Sequence, residues 1–200
     1  MEFIPRGVAF APDGETFYAY AKSQEEGQWK LWLLAMDRSG EERWRAELDM
    51  FHSETIPMVD NAGRIYTASQ KFYVHGPSGK LLWKRSFPGK EVKMEATIDH
   101  NGQIYVNASN WLYSFDYKGK LRWRIYLGSS PASQPLICDA ENVIYYTGDK
   151  LYAVSDRGKV LWSADIDAAP FGTATIGFHR MLFTGTLFDV DRGQQLIAVK

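Results

Sequence analysis

The sequence predicts an all-β protein: a β-propeller of about five four-stranded antiparallel blades, arranged as a closed ring or a partial propeller. Landmark residues recur with a period of 39 or 40 residues along the 200-residue chain, and each period holds four short segments rich in β-forming residues. Four strands in about forty residues are typical of a propeller blade. The landmarks are Trp44, Trp83, Trp123 and Trp162, and, four residues before each, Gly40, Gly79, Gly119 and Gly158.

The clearest unit spans residues 94–127 and shows how one blade is built. Its four strands are predicted at residues 94–99, 103–108, 111–115 and 120–127. Asn101 and Gly102 join the first two strands, because a tight hairpin turn requires the positive φ angles that Asn and Gly tolerate. In the last strand, apolar residues such as Trp123 alternate with charged ones such as Arg122. This alternation predicts an outermost strand with one buried and one wet face.

Taken in order, the chain is predicted to form five blades in one domain that covers residues 1–200. We expect the blades at about residues 3–48, 54–87, 92–127, 133–166 and 172–200. Residues 22–30 interrupt the first blade, and we expect this polar segment to form a loop between the second and third strands. The fifth blade has no Trp at the repeated position, near which Ile197 stands. Ring closure is left open and depends on packing alone unless residues 1–4 add a strand.

The repeat resembles that of the pyrroloquinoline-quinone (PQQ)-type propellers. Their pattern is a Leu-Tyr-Ala-X-Asp strand, a Gly-Lys turn and a Leu-Trp strand, and residues 151–162 (LYAVSDRGKVLW) match it best. The resemblance covers almost the whole chain and implies the fold. The family includes quinone-dependent alcohol dehydrogenases and non-catalytic scaffolds of outer-membrane assembly. This chain departs from the dehydrogenases, which carry a paired-cysteine motif and calcium-binding carboxylates, so we expect no cofactor.

Composition narrows the classes of partner. A net charge of −1 and a pI near 6.4 argue against a general nucleic-acid or anionic-membrane binder. There is no apolar stretch long enough to span a membrane and no apolar core of a signal peptide, so the sequence predicts no membrane insertion. The compartment stays unknown: cytoplasmic as given, or exported if this is a mature domain. The single Cys138 excludes an internal disulfide and is expected to be a buried thiol.

The search for catalytic motifs finds little, so we expect no enzyme, no catalytic residues and no metal site. Nucleophile-elbow, phosphate-loop, dinucleotide and zinc-protease motifs are all absent from the sequence. The histidines fall in or beside turns and are expected to be ordinary surface residues: His52, His75, His100 and His179. Asp165 and Asp167 could act as paired carboxylates in glycoside hydrolysis, but their spacing also suits a solvated strand end.

The function predicted from these observations is a non-catalytic protein–protein interaction or scaffold module. Trp29 is the most informative residue outside the repeat, because Trp is enriched at binding hot spots. Propeller connections that line one face carry further aromatic residues. The proposed partner-binding set is Trp29, Phe51, Phe87 and Phe171. A protein partner is expected, nucleic acid is not, and self-association is left open.

The alternative function is a propeller that binds, or processes, a carbohydrate or another small ligand in its central channel. Polar residues of the inner strands would then face the ligand. The candidates are Thr55, Thr97, Gln134 and Thr175. Substitution separates the two classes: a channel ligand would ignore Trp29→Ser but lose affinity on Thr97→Val.

Overall fold

A computed structural model confirms the all-β architecture. It describes residues 1–4, 7–49, 56–87, 94–108, 110–128, 136–147, 150–165, 170–177, 181–186 and 196–199, and for 94–95, 170–173, 184–186 and 197 the backbone alone. Twenty strands and no helix occur in these ranges. They form five antiparallel sheets, which we call blades 1 to 5. The chain divides into two compact units, Met1–Met94 and Glu95–Lys200; the prediction that all blades share one domain stays a prediction.

Blade 1 has the longest strands of the described chain. They are β1 (Glu2–Phe3), β2 (Ala9–Phe10), β3 (Thr16–Glu25), β4 (Gln28–Asp37) and β5 (Glu42–Leu48). β1 and β2 pair one after the other with β3, so together they take the place of a single inner strand. The N-terminal segment therefore does add a strand, and it adds it to blade 1 itself.

The expectation of a loop at residues 22–30 is wrong. β3 and β4 stay paired over all ten residues of each strand, from Thr16 opposite Asp37 to Glu25 opposite Gln28. A two-residue turn with positive φ at both positions, 50° at Glu26 and 80° at Gly27, closes the hairpin. Such a turn matches the right-handed twist of its strands, so pairing can continue to the end. The extra residues are thus a rigid hairpin tip.

Blade 2 completes the first unit and packs on blade 1. Its strands are β6 (Met58–Val59), β7 (Ile65–Ala68), β8 (Phe72–His75) and β9 (Leu81–Arg85). β7 and β8 are buried throughout, whereas the outer strand β9 is mostly exposed. One hydrophobic cluster joins the two blades. It comprises Ala11, Tyr18, Tyr20, Leu31, Leu33, Ala35, Leu48, Ile65 and Tyr73.

The second unit holds blades 3 to 5. Blade 3 is β10 (Met94–Ile98, whose first residue belongs to the first unit), β11 (Ile104–Ala108), β12 (Trp111–Phe115) and β13 (Leu121–Tyr126); blade 4 is β14 (Ile137–Cys138), β15 (Ile144–Thr147), β16 (Lys150–Val154) and β17 (Val160–Asp165). Blade 5 shows three strands in its described part, β18 (Pro170–Ile176), β19 (Leu182–Thr186) and β20 (Leu196–Val199). Asn142 takes the left-handed turn position with φ 63°, as its place in the repeat predicts.

The repeated Trp and Gly belong to one contact, which recurs in both units. The indole of Trp44 lies over Gly79 of the next blade and donates a hydrogen bond to the Pro77 carbonyl at 3.0 Å. Trp123 does the same over Gly158, donating to the Asp156 carbonyl at 2.8 Å. The glycines have φ near 80°, and a Cβ there would meet the indole at 2.7 Å. The prediction that each outer-strand Trp packs toward a neighbouring blade is confirmed for these two.

An Asp at the first hairpin turn braces each of blades 2 to 4. In blade 2, Asp60 accepts two backbone N–H groups with one carboxylate oxygen, while the other accepts the Tyr66 hydroxyl at 2.8 Å. Asp99 and Asp139 hold Tyr105 and Tyr145 in the same way, at 2.8 and 3.0 Å. The motif links turn, inner strands and core, and its spacing follows the repeat.

Candidate functional site in the groove between blades 1 and 2

A groove of about 490 Å³ lies between the outer strand of blade 1 and the last two strands of blade 2. Both walls belong to the first unit. Its lining mixes aromatic, aliphatic and charged side chains in the manner of a binding site. The lining residues are Trp29, Lys30, Ala46, Glu47, Leu48, Asp49, Tyr73, His75, Gly79, Leu81 and Lys84.

The hairpin tip of blade 1 contributes Trp29 and Lys30. Trp29 stands opposite Gln24 in the β3–β4 ladder and is 50% exposed. Lys30 is paired with two carboxylates, Glu25 at 3.0 Å and Glu47 at 3.7 Å. The hydrogen bond to Glu25 is the main reason that the pKa of Lys30 is raised. The tip therefore presents a fixed indole beside a compensated ammonium group.

Asp49, Tyr73 and Lys71 form a hydrogen-bonded group on one wall. The Tyr73 hydroxyl donates to the Asp49 carboxylate at 2.5 Å, and the Lys71 ammonium lies 2.6 Å from the same oxygen. Lys71, and then Tyr73, holds the pKa of Asp49 below its usual value. Burial, reinforced by the hydrogen bond to Asp49, raises the pKa of Tyr73 to about 12. Tyr73 is therefore a neutral donor at neutral pH.

His75 is the least expected residue of the groove. It lies in β8, is 2% exposed, and stacks on Tyr73 with 6.0 Å between ring centres. Its Nδ1 has no hydrogen-bond partner among the described residues. Burial alone lowers the pKa of His75 to about 4, so the imidazole is neutral at neutral pH. Because a buried polar atom without a partner costs stability, it calls for an explanation.

Lys84 supplies a cation that differs from Lys30. Its ammonium lies 5.8 Å from the ring centre of Tyr73. No carboxylate of the described residues is within ion-pair distance of it, although Asp49 is close enough to feel its charge. Lys84 is exposed, so its charge is available at the mouth of the groove.

Sequence reasoning located one member of this site and missed the others. It treated His75 as a surface residue beside a turn, and the structure buries it; this expectation was wrong. The signal was in the repeat: counted back from each Trp, the position of His75 is occupied by Met36, Phe115 and Val154 in the other blades. An apolar position that carries His in one blade marks a departure from the fold's own pattern.

The proposed partner-binding residues do not all enter the groove. Trp29 lines it, whereas Phe87 follows β9 and is half-buried. Phe51 lies outside the described residues. Phe171 belongs to β18 in the second unit, where the backbone alone is described. The assignment of these four residues to one surface stays a prediction.

The residues proposed for a channel ligand are equally untested. Thr55 and Gln134 lie outside the described residues. Thr97 is a half-buried residue of β10, and Thr175 is an exposed residue of β18. The described structure gives no cluster that includes all four.

The remaining titratable candidates have structural surroundings. Cys138 is half-buried rather than fully buried, and burial raises the pKa of its thiol to about 12, so it is a poor nucleophile. Asp165 is exposed and pairs with Lys150 at 2.7 Å; its predicted companion Asp167 lies outside the described part. Within the described ranges no three His, Cys, Asp or Glu side chains are grouped as metal ligands would be. Those ranges also contain no helix with the length and apolarity needed to cross a bilayer.

Solved structures with the same fold include both assembly factors and enzymes. BamB from Moraxella catarrhalis aligns with a TM-score of 0.70 and 16% identity, over 96% of this chain and 60% of that one. This chain thus spans three fifths of that protein. A streptogramin B lyase aligns with a TM-score of 0.62 and 16% identity, over 90% and 68% of the two chains. An inactive virginiamycin B lyase variant from Staphylococcus aureus, solved with quinupristin, aligns at 0.63 and 14%, over 97% and 73%.

At these identities the likeness establishes the fold, a propeller built from PQQ-like repeats, and leaves the activity open. No curated protein matches the sequence. A family model gives a more specific result. The model described as outer membrane protein assembly factor BamB matches residues 30–200, which is most of the chain. The resemblance seen in the repeat is therefore confirmed, and the chain belongs to the BamB-like family of PQQ-type repeat proteins.

Proposed function

We propose that this chain is a non-catalytic protein-interaction module, and that the groove between blades 1 and 2 is its recognition surface. The description of its family as an assembly factor supports a protein partner. The observation that carries the proposal is Trp29, a half-exposed indole at the tip of a fully paired hairpin. A large aromatic side chain in that position is typical of an interface anchor.

The rigidity of the tip strengthens this interpretation. Ten consecutive cross-strand pairs fix the backbone of β3 and β4, and the Lys30 ion pairs tie the tip to β5. A preordered anchor loses little conformational entropy when a partner binds, which favours affinity. Phe51, Phe87 and Phe171 remain further proposed anchors of the same module.

The proposal is tested by capture and then by measured affinity. The folded chain is immobilised, a native lysate of the source organism is passed over it, and a retained protein is purified. Its affinity is then measured by calorimetry for the unchanged chain, for Trp29→Ser, and for Trp111→Ser as a control outside the groove. We expect Trp29→Ser to weaken binding about thirtyfold, in line with roughly 2 kcal/mol for a hot-spot residue. Equal affinities for all three proteins would contradict the proposal.

The alternative class makes a different prediction. If the chain used its channel as a ligand site, quinupristin or a glycan would bind, Thr97→Val would weaken that binding, and Trp29→Ser would not. Thr97 is half-buried and Thr175 exposed, but the described structure joins neither to a site. The interaction module is therefore the function that the groove supports best.

A further inference from the structure

We propose that the groove binds a short peptide segment of the partner in which a backbone amide or hydroxyl group meets Nδ1 of His75 and a carboxylate meets Lys84. This proposal rests on the proposed function and names the chemistry that the site recognises. Three features outside the common repeat pattern converge there. They are the hairpin tip with Trp29, the buried His75 and the uncompensated Lys84.

The buried imidazole calls for a hydrogen-bonding ligand. His75 is 98% buried, lines the groove, and leaves Nδ1 unpaired among the described residues. A neutral imidazole nitrogen either donates or accepts, depending on its tautomer. A peptide unit or a hydroxyl group can do both, so it satisfies Nδ1 in either case. A ligand that lacked such a group would leave the unpaired nitrogen buried even more deeply.

The charges favour an acidic ligand. Lys30 is paired with Glu25 and Glu47, and Lys71 is paired with Asp49, so these carboxylates are already compensated. Lys84 has no such partner in the described structure and stands at the exposed end of the Tyr73 ring. A carboxylate on the ligand completes the pattern, and the resulting charge-assisted hydrogen bond is stronger than a neutral one.

The size and the apolar walls suit a short segment. The volume of about 490 Å³ falls in the usual range for small-ligand sites and is too small for a whole domain. Trp29 and Leu81 are 50% and 41% exposed and line the same groove. An apolar side chain of the segment can therefore pack on them while its polar groups reach His75 and Lys84.

The test uses acetylated and amidated tetrapeptide pools. One pool carries a fixed Glu and random neighbours, and the matched pool carries Gln instead. Binding is followed by NMR on protein labelled with ¹⁵N, including the imidazole nitrogens of His75, which are assigned by comparison with His75→Phe. We expect the Glu pool to shift the Lys84 and His75 signals, and the Gln pool to do so about tenfold more weakly, as for one charge-assisted hydrogen bond.

Variants separate the two contacts. Lys84→Gln should weaken the Glu pool about tenfold and leave the Gln pool unchanged. Lys118→Gln is the matched control, because Lys118 also stands over a Tyr ring, at 5.4 Å from the ring centre of Tyr117, but lies outside the groove. His75→Phe should weaken both pools about tenfold while the protein stays folded, since Phe115 occupies the same repeat position in blade 3.

Several results would overturn the proposal. Equal shifts with the Glu and Gln pools would remove the role of Lys84, and unchanged affinity of His75→Phe would remove that of His75. Shifts of the groove signals by glucose, N-acetylglucosamine or glucuronic acid, but not by the peptides, would identify a saccharide site instead. If a captured partner depends on Trp29 but neither pool binds, the proposed function stands and this proposal fails. If no protein is captured either, both fail.

Discussion

Replacement of Gly79 by Ala would measure how strongly Trp44 holds blade 1 against blade 2. The added Cβ would lie 2.7 Å from Cδ2 and 2.8 Å from Cε3 of the indole. Real Cβ atoms do not approach so closely, so the ring has to move outward. Gly40 is the matched control, because it occupies the same repeat position with φ 85°, and no described atom lies within 4 Å of a Cβ there. Both substitutions place a side chain in the left-handed region, but one alone disturbs a Trp.

The magnitude follows from two contributions. Left-handed backbone costs a non-glycine residue roughly 1–2 kcal/mol, and Gly40→Ala should show this amount. Gly79→Ala adds the loss of the 3.0 Å hydrogen bond from Trp44 to the Pro77 carbonyl, about 1 kcal/mol. Displacement of the ring from the shared core adds about 1–2 kcal/mol. We therefore expect Gly79→Ala to lose roughly 3–5 kcal/mol in total.

The assay is urea unfolding followed by Trp fluorescence, with the double variant Trp44→Ala/Gly79→Ala. If the two residues act through one contact, the double variant should be little worse than Trp44→Ala alone. Gly158→Ala should behave like Gly79→Ala, because its Cβ would meet Trp123 at the same 2.7 Å. Equal losses for Gly40→Ala and Gly79→Ala, or additive losses in the double variant, would refute the reasoning.

Three further predictions concern stability. Burial lowers the pKa of His75 to about 4 from 6.5, so the unfolded state binds more protons between these values and stability falls as the pH drops through them; the wild type should lose ~2 kcal/mol more than His75→Phe between pH 7.5 and pH 5 in urea titrations, and parallel curves would contradict this. Asp60→Ala removes contacts to a backbone amide, a guanidinium and a Tyr hydroxyl and should cost about 3 kcal/mol, against about 1 kcal/mol for Asp116→Ala, which caps a turn through backbone amides alone; calorimetric midpoints that fall equally would show that the Tyr contact is idle. Glu26 has φ 50°, so Glu26→Asn should raise the thermal midpoint by the equivalent of about 0.5 kcal/mol, and a lowered midpoint would exclude backbone strain at the hairpin tip.

The repetitive part of the fold was predictable because the same physical demands recur in every unit. Each blade needs a left-handed turn before its outer strand, which selects Gly, and a large side chain to seal the next blade, which selects Trp. These demands place Gly79 under Trp44, and Gly158 under Trp123. A single repeat would have been ambiguous, but agreement at a fixed period identifies the architecture.

The departures from the repeat were harder to predict. Residues 22–30 are polar on both strand faces, so they lack the apolar alternation that indicates a strand, and they read as a loop. Their pairing comes from the turn at Glu26 and Gly27 and from continuation of an already formed ladder. Periodicity detects burial, and a hairpin tip that extends beyond the core has little burial to detect.

His75 shows how a repeat can indicate function without any comparison to relatives. The other blades fill its position with Met36, Phe115 and Val154, so an apolar residue fits there and would remove an unpaired nitrogen from the core. His75→Phe should therefore be at least as stable as the wild type at neutral pH, and more stable in acid. A residue that weakens its own fold, although its neighbours in the repeat show the remedy, is expected where a binding site needs it. Stability and peptide affinity should then change in opposite directions in this one variant, a pattern that a purely structural role of His75 does not produce.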